Sequence, residues 1–224
     1  MPALPDDHGT AREYDPSPHK HCRPLLVLDL DGTLLDTCKK GTREGPPTFM
    51  ASDFPDEVYE TRIRPGLAEF LTTVTQKYDL AVFTAGSSEY AEAMIAGIET
   101  HAFTGFRTFL RCTFSREQTK VLIEPGQASI IKDLRDVAQH CRVPLERCLI
   151  VDDSPSTYQL NCSNALPVPT YLGTVHDDAL AELAEDLMDM TKPNTPLDVT
   201  GYRLAPPRAV PLLAAVPSGM NPDG

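Results

Sequence analysis

An α/β fold is predicted for this chain, a doubly wound, Rossmann-like parallel sheet, and three observations predict it. Short apolar runs at 25–28, within a first strand of about 24–29, at 80–83 and at 148–151 alternate with stretches of helical periodicity. The runs are continuously apolar, as in strands buried on both faces. Each is followed at once by polar residues, and in open α/β sheets ligands bind at the carboxyl ends of the strands.

The elements follow in order. After the first strand, residues 39–60 are polar with Pro and Gly and read as a connection without regular structure. Arg64-Pro65-Gly66 opens a helix in which Leu67, Phe70, Leu71 and Val74 mark one face. The second run ends in Thr84-Ala85-Gly86, and Ser87 or Ser88 caps the next helix, whose early Glu89 and Glu92 suit the macrodipole. Between 106 and 131, β-branched and aromatic residues with the turn signal Glu124-Pro125-Gly126 predict hairpins laid beside the site. Residues 132–141 read as a helix, 148–151 as the third core strand and 177–188 as a C-terminal helix.

A chain of 224 residues holds one domain and tails. The domain is expected over 23–191, between an N-terminal tail, 1–22, and a Pro-rich tail, 192–224, both expected to be disordered. The first 23 residues lack an apolar targeting segment, and no apolar stretch reaches the ~20 residues of a membrane span, so nucleus or cytoplasm is expected. The six cysteines show no C-x-x-C spacing and are expected to stay reduced. A formal net charge of −12 disfavours direct nucleic-acid binding and leaves a protein or peptide as the expected partner. Oligomeric state is left open.

Asp29 and Asp31 close the first strand and precede Gly32-Thr33. Residues two apart on an extended chain face the same way, so both acids can address one reacting centre. Thr84 closes the second run, Asp152-Asp153 the third, and Lys132 precedes the last. Singly, these residues are most simply caps, turns or solvated charges. As an ordered set at successive strand ends they point to acid/base or metal-assisted phosphoryl transfer.

The order D-x-D-G-T, strand-ending Thr, Lys and V-D-D-S-P resembles the haloacid-dehalogenase-type phosphatases. Arg64-Pro65-Gly66-Leu67, Val82-Phe83-Thr84-Ala85, Lys132-Asp133-Leu134 and Asn164-Ala165-Leu166-Pro167-Val168 narrow the resemblance to the small phosphatases of the RNA polymerase II C-terminal domain, over about 24–190. That branch usually carries Glu at the place of Gly32 and Asn at the place of Asp153. The resemblance implies a HAD-like fold. The intervals 34–83 and 100–131 are too short for a full cap domain, leaving an open site that admits a phosphorylated side chain on a polypeptide.

The implied activity is that of a Mg²⁺-dependent phosphoserine/phosphothreonine phosphatase. Asp29 is the nucleophile and Asp31 the general acid and base. Thr84, with amides of the helix after Gly86, holds the phosphoryl group, and Lys132 supplies fixed positive charge. Mg²⁺ would use Asp29, the Asp31 carbonyl and Asp153, with Asp152 as a further acid of that site that orients a metal-bound water or Lys132. Thr33, Ala85 and Tyr90 are implied substrate contacts, and either Arg107 or Arg111 the substrate-binding arginine, with Arg111 carried forward as the candidate. A lipid or metabolite phosphatase, or a non-catalytic scaffold on the same fold, are the alternatives.

Overall fold

The computed structural model describes residues 23–43, 45–54 and 57–191. The two tails expected from the sequence, 1–22 and 192–224, lie outside the described residues.

Five parallel strands form the central sheet: β1 (Leu25–Leu28), β5 (Asp79–Phe83), β6 (Leu110–Phe114), β9 (Cys148–Asp152) and β10 (Ala165–Pro167), in the order β10-β9-β1-β5-β6. β1 runs up the middle, pairing Leu28 with Val82 on one side and Val151 on the other. A middle strand has no solvated face, which is why β1 is apolar without interruption and wholly buried.

Alternate residues of these strands supply two cores. Leu26, Leu28, Leu80, Val82, Leu149 and Val151 face α1 (Leu67–Val74), α2 (Ser88–His101) and α5 (Ala179–Met190), whose buried residues include Phe70, Leu71, Ile95, Ile98, Leu183 and Leu187. Leu25, Val27, Ala81, Phe83 and Ile150 face α4 (Leu134–Cys141) through Leu134, Val137 and Ala138. Helices therefore cover both sheet faces, which is the doubly wound arrangement expected from the alternation.

The structure corrects the sequence in two stretches. The described residues of 39–60 hold strands: β2 (Leu35–Lys39), β3 (Phe49–Phe54) and β4 (Glu57–Ile63) make a separate antiparallel sheet in the order β2-β4-β3. Its strands interrupt their apolar residues with Asp, Thr, Glu, Lys and Arg, so the apolar alternation that marks a strand is absent. The sheet is fastened to α2 by Phe49, whose ring lies where a Cβ on Gly97 would come within 2.2 Å and stacks on His101 at 5.4 Å. Residues 106–131, read as hairpins, split into the short helix α3 (Phe106–Phe109), the core strand β6, and a single hairpin of β7 (Lys120–Glu124) with β8 (Gln127–Ile131).

Candidate active site

Asp29 follows β1 directly and its amide N–H still donates to the Val151 carbonyl at 3.0 Å, so the ladder between β1 and β9 fixes its backbone. The chain then turns: the amides of Thr33, Leu34 and Leu35 all donate back to the Leu30 carbonyl. The turn requires Gly32 at φ 76°, and directs Thr33 Oγ1 to donate to Asp29 Oδ2 at 2.9 Å.

Asp29 is buried, with only 5% of its surface exposed. Lys132, equally buried, donates to Asp29 Oδ1 and, at 2.7 Å, to Asp152 Oδ2. Asp152 Oδ1 in turn accepts the Ser154 amide at 2.8 Å, so both of its oxygens are committed to positioning Lys132 and the loop after β9. Lys132 itself is anchored by its backbone amide, which donates to the Thr157 carbonyl at 2.7 Å.

Two acids against one lysine leave a buried net negative charge. Burial pushes the Asp29 carboxyl up to about 7, offset in part by Lys132 and reinforced by Asp152 and Asp31. Burial disfavours the Lys132 charge, but Asp29 and Asp152 outweigh it and the ammonium titrates above its ordinary range. Asp31 differs: it stands exposed at the cleft mouth, and its carboxyl accepts the Tyr90 hydroxyl. The protein crowded around that carboxyl raises its pKa, against the lowering effect of the Tyr90 bond.

Thr84 is buried at the carboxyl end of β5, tied to β6 by its amide, which donates to the Phe114 carbonyl at 3.0 Å. Its hydroxyl accepts the Gly86 amide at 3.0 Å, tightening the Thr84-Ala85-Gly86 turn. Ser87 caps α2 by accepting the Tyr90 amide at 3.2 Å, which settles the choice between Ser87 and Ser88. Tyr90 then lies across the turn, close enough that a Cβ on Gly86 would stand 2.4 Å from its ring.

The structure thus brings Asp29, Asp31, Thr33, Lys132, Asp152 and Asp153 together around one strand end, with Thr84, Ala85 and Tyr90 on the neighbouring one. Arg111 does not join them. It sits at the start of β6, and its guanidinium donates to Asp79 at the opposite end of the sheet at 2.8 Å, because parallel pairing places the amino ends of β5 and β6 together. Arg107 pairs with Glu92 and Glu99 on the surface. The arginine beside the site is Arg116, which sequence reasoning missed. Its amide donates to the Gly86 carbonyl at 2.7 Å and its Nε to the Ala85 carbonyl at 2.9 Å. The signal available was position: Arg116 stands two residues past Phe114, the end of β6, the strand adjoining the one that ends at Thr84.

Asp29, Asp152 and Asp153 each offer a carboxylate oxygen within 4.8 Å of the others, a cluster of hard donors suited to Mg²⁺. Gly32 and Asp153 are also spatial neighbours: a Cβ at residue 32 would lie 2.6 Å from Asp153 Oδ2. The two departures from the family pattern therefore share one small space, and the bare backbone of Gly32 is what lets the Asp153 carboxylate occupy it. Gly32→Ala is expected to displace Asp153 and strain the turn, raising the Mg²⁺ concentration for half-maximal effect roughly 10-fold or more in a metal titration.

A doubly wound parallel sheet with a buried acid, a paired lysine and an acidic cluster at its carboxyl edge defines a HAD-like protein. The family profile of NLI interacting factor-like phosphatases matches residues 24–197, and the chain belongs to that family. Phosphatase PSR1 of Saccharomyces cerevisiae is 28% identical over 179 residues, covering 79% of this chain and 38% of the relative. Nuclear envelope morphology protein 1 of Schizosaccharomyces pombe is 30% identical over 186 residues, covering 82% and 36%. CTD nuclear envelope phosphatase 1 of Xenopus tropicalis is 32% identical over 172 residues, covering 72% and 64%. The chain spans about a third to a half of the length of the first three curated relatives it matches. A solved structure of Fcp1, an essential RNA polymerase II CTD phosphatase, aligns with a TM-score of 0.47 at 17% identity, covering 79% of this chain and 57% of that one.

Proposed function

We propose that this chain, with its catalytic domain over 23–191, hydrolyses phosphoserine or phosphothreonine in proteins through an aspartyl-phosphate intermediate. The observation that carries the reading is the pairing of a buried, lysine-held Asp29 with a solvent-facing Asp31 two residues on. One acid is enclosed and aimed, the other is open to a leaving group and to water.

A carboxylate oxygen of Asp29 attacks phosphorus as the ester P–O bond breaks, and Asp31 gives its proton to the departing serine or threonine oxygen. Asp31 then takes a proton from water attacking the phosphorus, and the Asp29 carboxylate is released with phosphate. A raised pKa at Asp31 is what the first step requires of a proton donor near neutral pH. Lys132 opposes charge on the transferring group and fixes Asp29 in register. Thr84 and the amides at the start of α2 provide donors for phosphoryl oxygens. Asp152 acts through Lys132.

The residues present fit Mg²⁺: Asp29 and Asp153 would hold it, with the Asp31 carbonyl and, close by, Asp152. When bound, the ion supplies positive charge that reduces repulsion between Asp29 and an anionic phosphate.

A polypeptide substrate is supported by the interval between Asp31 and Thr84, which holds the small second sheet, α1 and β5 and leaves no room for a full cap domain over the site. The names of the relatives, CTD and nuclear envelope phosphatases among them, favour a phosphoprotein encountered in or around the nucleus, with the cytoplasm as the other expected compartment. No helix among the described residues is long and apolar enough to cross a membrane.

The test is release of inorganic phosphate from an aryl phosphate and from a panel of phosphoserine and phosphothreonine peptides, with and without Mg²⁺. Turnover of both substrate types is expected, with Asp31→Asn slowed about 10²–10⁴-fold on a peptide, whose alkoxide needs the proton, and less on the aryl ester. Turnover of phosphatidate but of no peptide would move the substrate to lipid, and folded protein inactive on all of them would leave a scaffold.

A further inference from the structure

Away from the acids, β6 and α4 bring two thiols together. Cys112 Sγ, on β6, lies 3.1 Å from Cys141 Sγ, in the last turn of α4. A disulfide needs about 2.05 Å, so a closing movement of about 1 Å separates the pair from a bond. Cys112 is partly exposed and Cys141 buried. We propose that Cys112 and Cys141 are a redox modification site, closed to a reversible disulfide by hydrogen peroxide.

The surroundings favour this chemistry. The two sulfurs share a hydrogen bond, and this bond with Cys112 together with the Arg111 guanidinium holds the Cys141 thiol below its ordinary range despite burial and the nearby Asp79. Cys112 is shifted the opposite way, so one sulfur is the nucleophile and the other the resolving thiol. Arg111, absent from the cleft, has its place here: Nη2 donates to the Cys141 carbonyl at 3.4 Å while Nη1 is held by Asp79.

The Cys141 thiolate attacks one peroxide oxygen, the O–O bond breaks and hydroxide leaves, giving a sulfenic acid. Cys112 sulfur attacks that sulfur and expels the second hydroxide, and the two thiol protons convert both hydroxides to water. One peroxide and two thiols thus become one disulfide and two waters.

The closed loop would run from Cys112 to Cys141, 29 positions apart, and contain Arg116, the β7–β8 hairpin and Lys132. Oxidation would thus staple the strand that supports the Thr84 turn to the helix that follows Lys132.

The full chain is treated with a small molar excess of H₂O₂, alkylated and mapped by mass spectrometry. Loss of alkylation at Cys112 and Cys141 together, a linked peptide pair 2 Da lighter than the two thiols, and reversal by dithiothreitol are expected. A rise in Tm of roughly 5–10 °C should accompany the bond. Cys112→Ser should stop at a sulfenic acid on Cys141, trapped by a 1,3-diketone. The buried Cys148 and exposed Cys162 are internal controls. The proposal fails if Cys112 and Cys141 remain alkylated under conditions that oxidise Cys162, or if Cys141 links to Cys148 instead.

Discussion

Asp29→Asn is expected to remove turnover and raise stability in the same protein. The amide has no nucleophilic oxygen of comparable strength, so the covalent route closes and kcat falls at least about 10³-fold. The stability gain follows from the charge arithmetic around Lys132. In the metal-free fold the Asp29 carboxyl titrates at about 7, against an ordinary value of 3.8. Between those two pH values the folded state retains a proton that the unfolded chain has lost. The corresponding stability is fully present below about pH 4 and is lost as pH rises through 7. Asparagine never ionises, and its oxygen still accepts from Lys132 while the Thr33 hydroxyl turns to accept from its Nδ2. The variant should therefore match wild type near pH 3.5 and exceed it by about 1–3 kcal/mol at pH 8, a gap read as diverging Tm values in chelator. Mg²⁺ should narrow the gap by binding the wild-type folded state. Parallel Tm profiles over that range would show that Asp29 carries no such penalty.

The sequence made the middle of the molecule legible because burial on both faces leaves a compositional trace. β1, β5 and β9 are unbroken apolar runs, and each stops where a catalytic-type residue begins. The second sheet left no such trace: β2 and β4 carry Asp36, Lys39, Glu60 and Arg62, of which Asp36 pairs with Arg43 and Glu60 with Arg62 on the same strand. Polarity there marks ion pairing within a sheet, whereas in the sequence it reads as a loop. β6 was obscured for another reason. It is the edge strand of the central sheet, and its residues alternate between part-buried and exposed up to Phe114, the pattern of a hairpin strand. Misplacing β6 also misplaced its arginines, since the parallel register sends Arg111 to the far end of the sheet and brings Arg116 to the Thr84 turn. In the candidate site, order along the chain grouped Asp29, Asp31, Thr84, Lys132 and Asp153, which the structure places at neighbouring strand ends. One relation was invisible to order: Gly32 as the space into which Asp153 fits.

Arg64 is where fold and site depend most on a single side chain. In the sequence it reads only as the residue before Pro65 at a helix start, yet it is 1% exposed and the largest wholly buried side chain among the described residues. Its Nε and Nη2 donate to the two oxygens of Asp177 at 2.8 and 3.0 Å, Nη2 also to the Pro169 carbonyl at 2.9 Å, and Nη1 to the Thr33 carbonyl at 3.0 Å. The guanidinium also lies 5.4 Å from the Tyr171 ring centroid. One planar cation thus joins the turn after Asp29 to the segment leading into α5, where Asp177 additionally accepts the Ala179 amide at 3.1 Å. Arg64→Ala would leave a carboxylate and two carbonyls without their buried donor, a loss of about 3–5 kcal/mol and a Tm lower by roughly 8–15 °C. Lysine cannot reproduce the fork, so Arg64→Lys should recover less than half of that loss. The turn itself supplies the functional readout. With the Thr33 carbonyl released, the Thr33 hydroxyl no longer holds Asp29 Oδ2 in one place, and kcat measured at 15 °C in the still-folded variant should fall about 10-fold with KM little changed. A Tm loss with kcat intact would show that the guanidinium supports the fold alone. A joint loss, with Asp177→Asn lowering Tm but sparing kcat, would show that its grip on the Thr33 carbonyl positions the nucleophile.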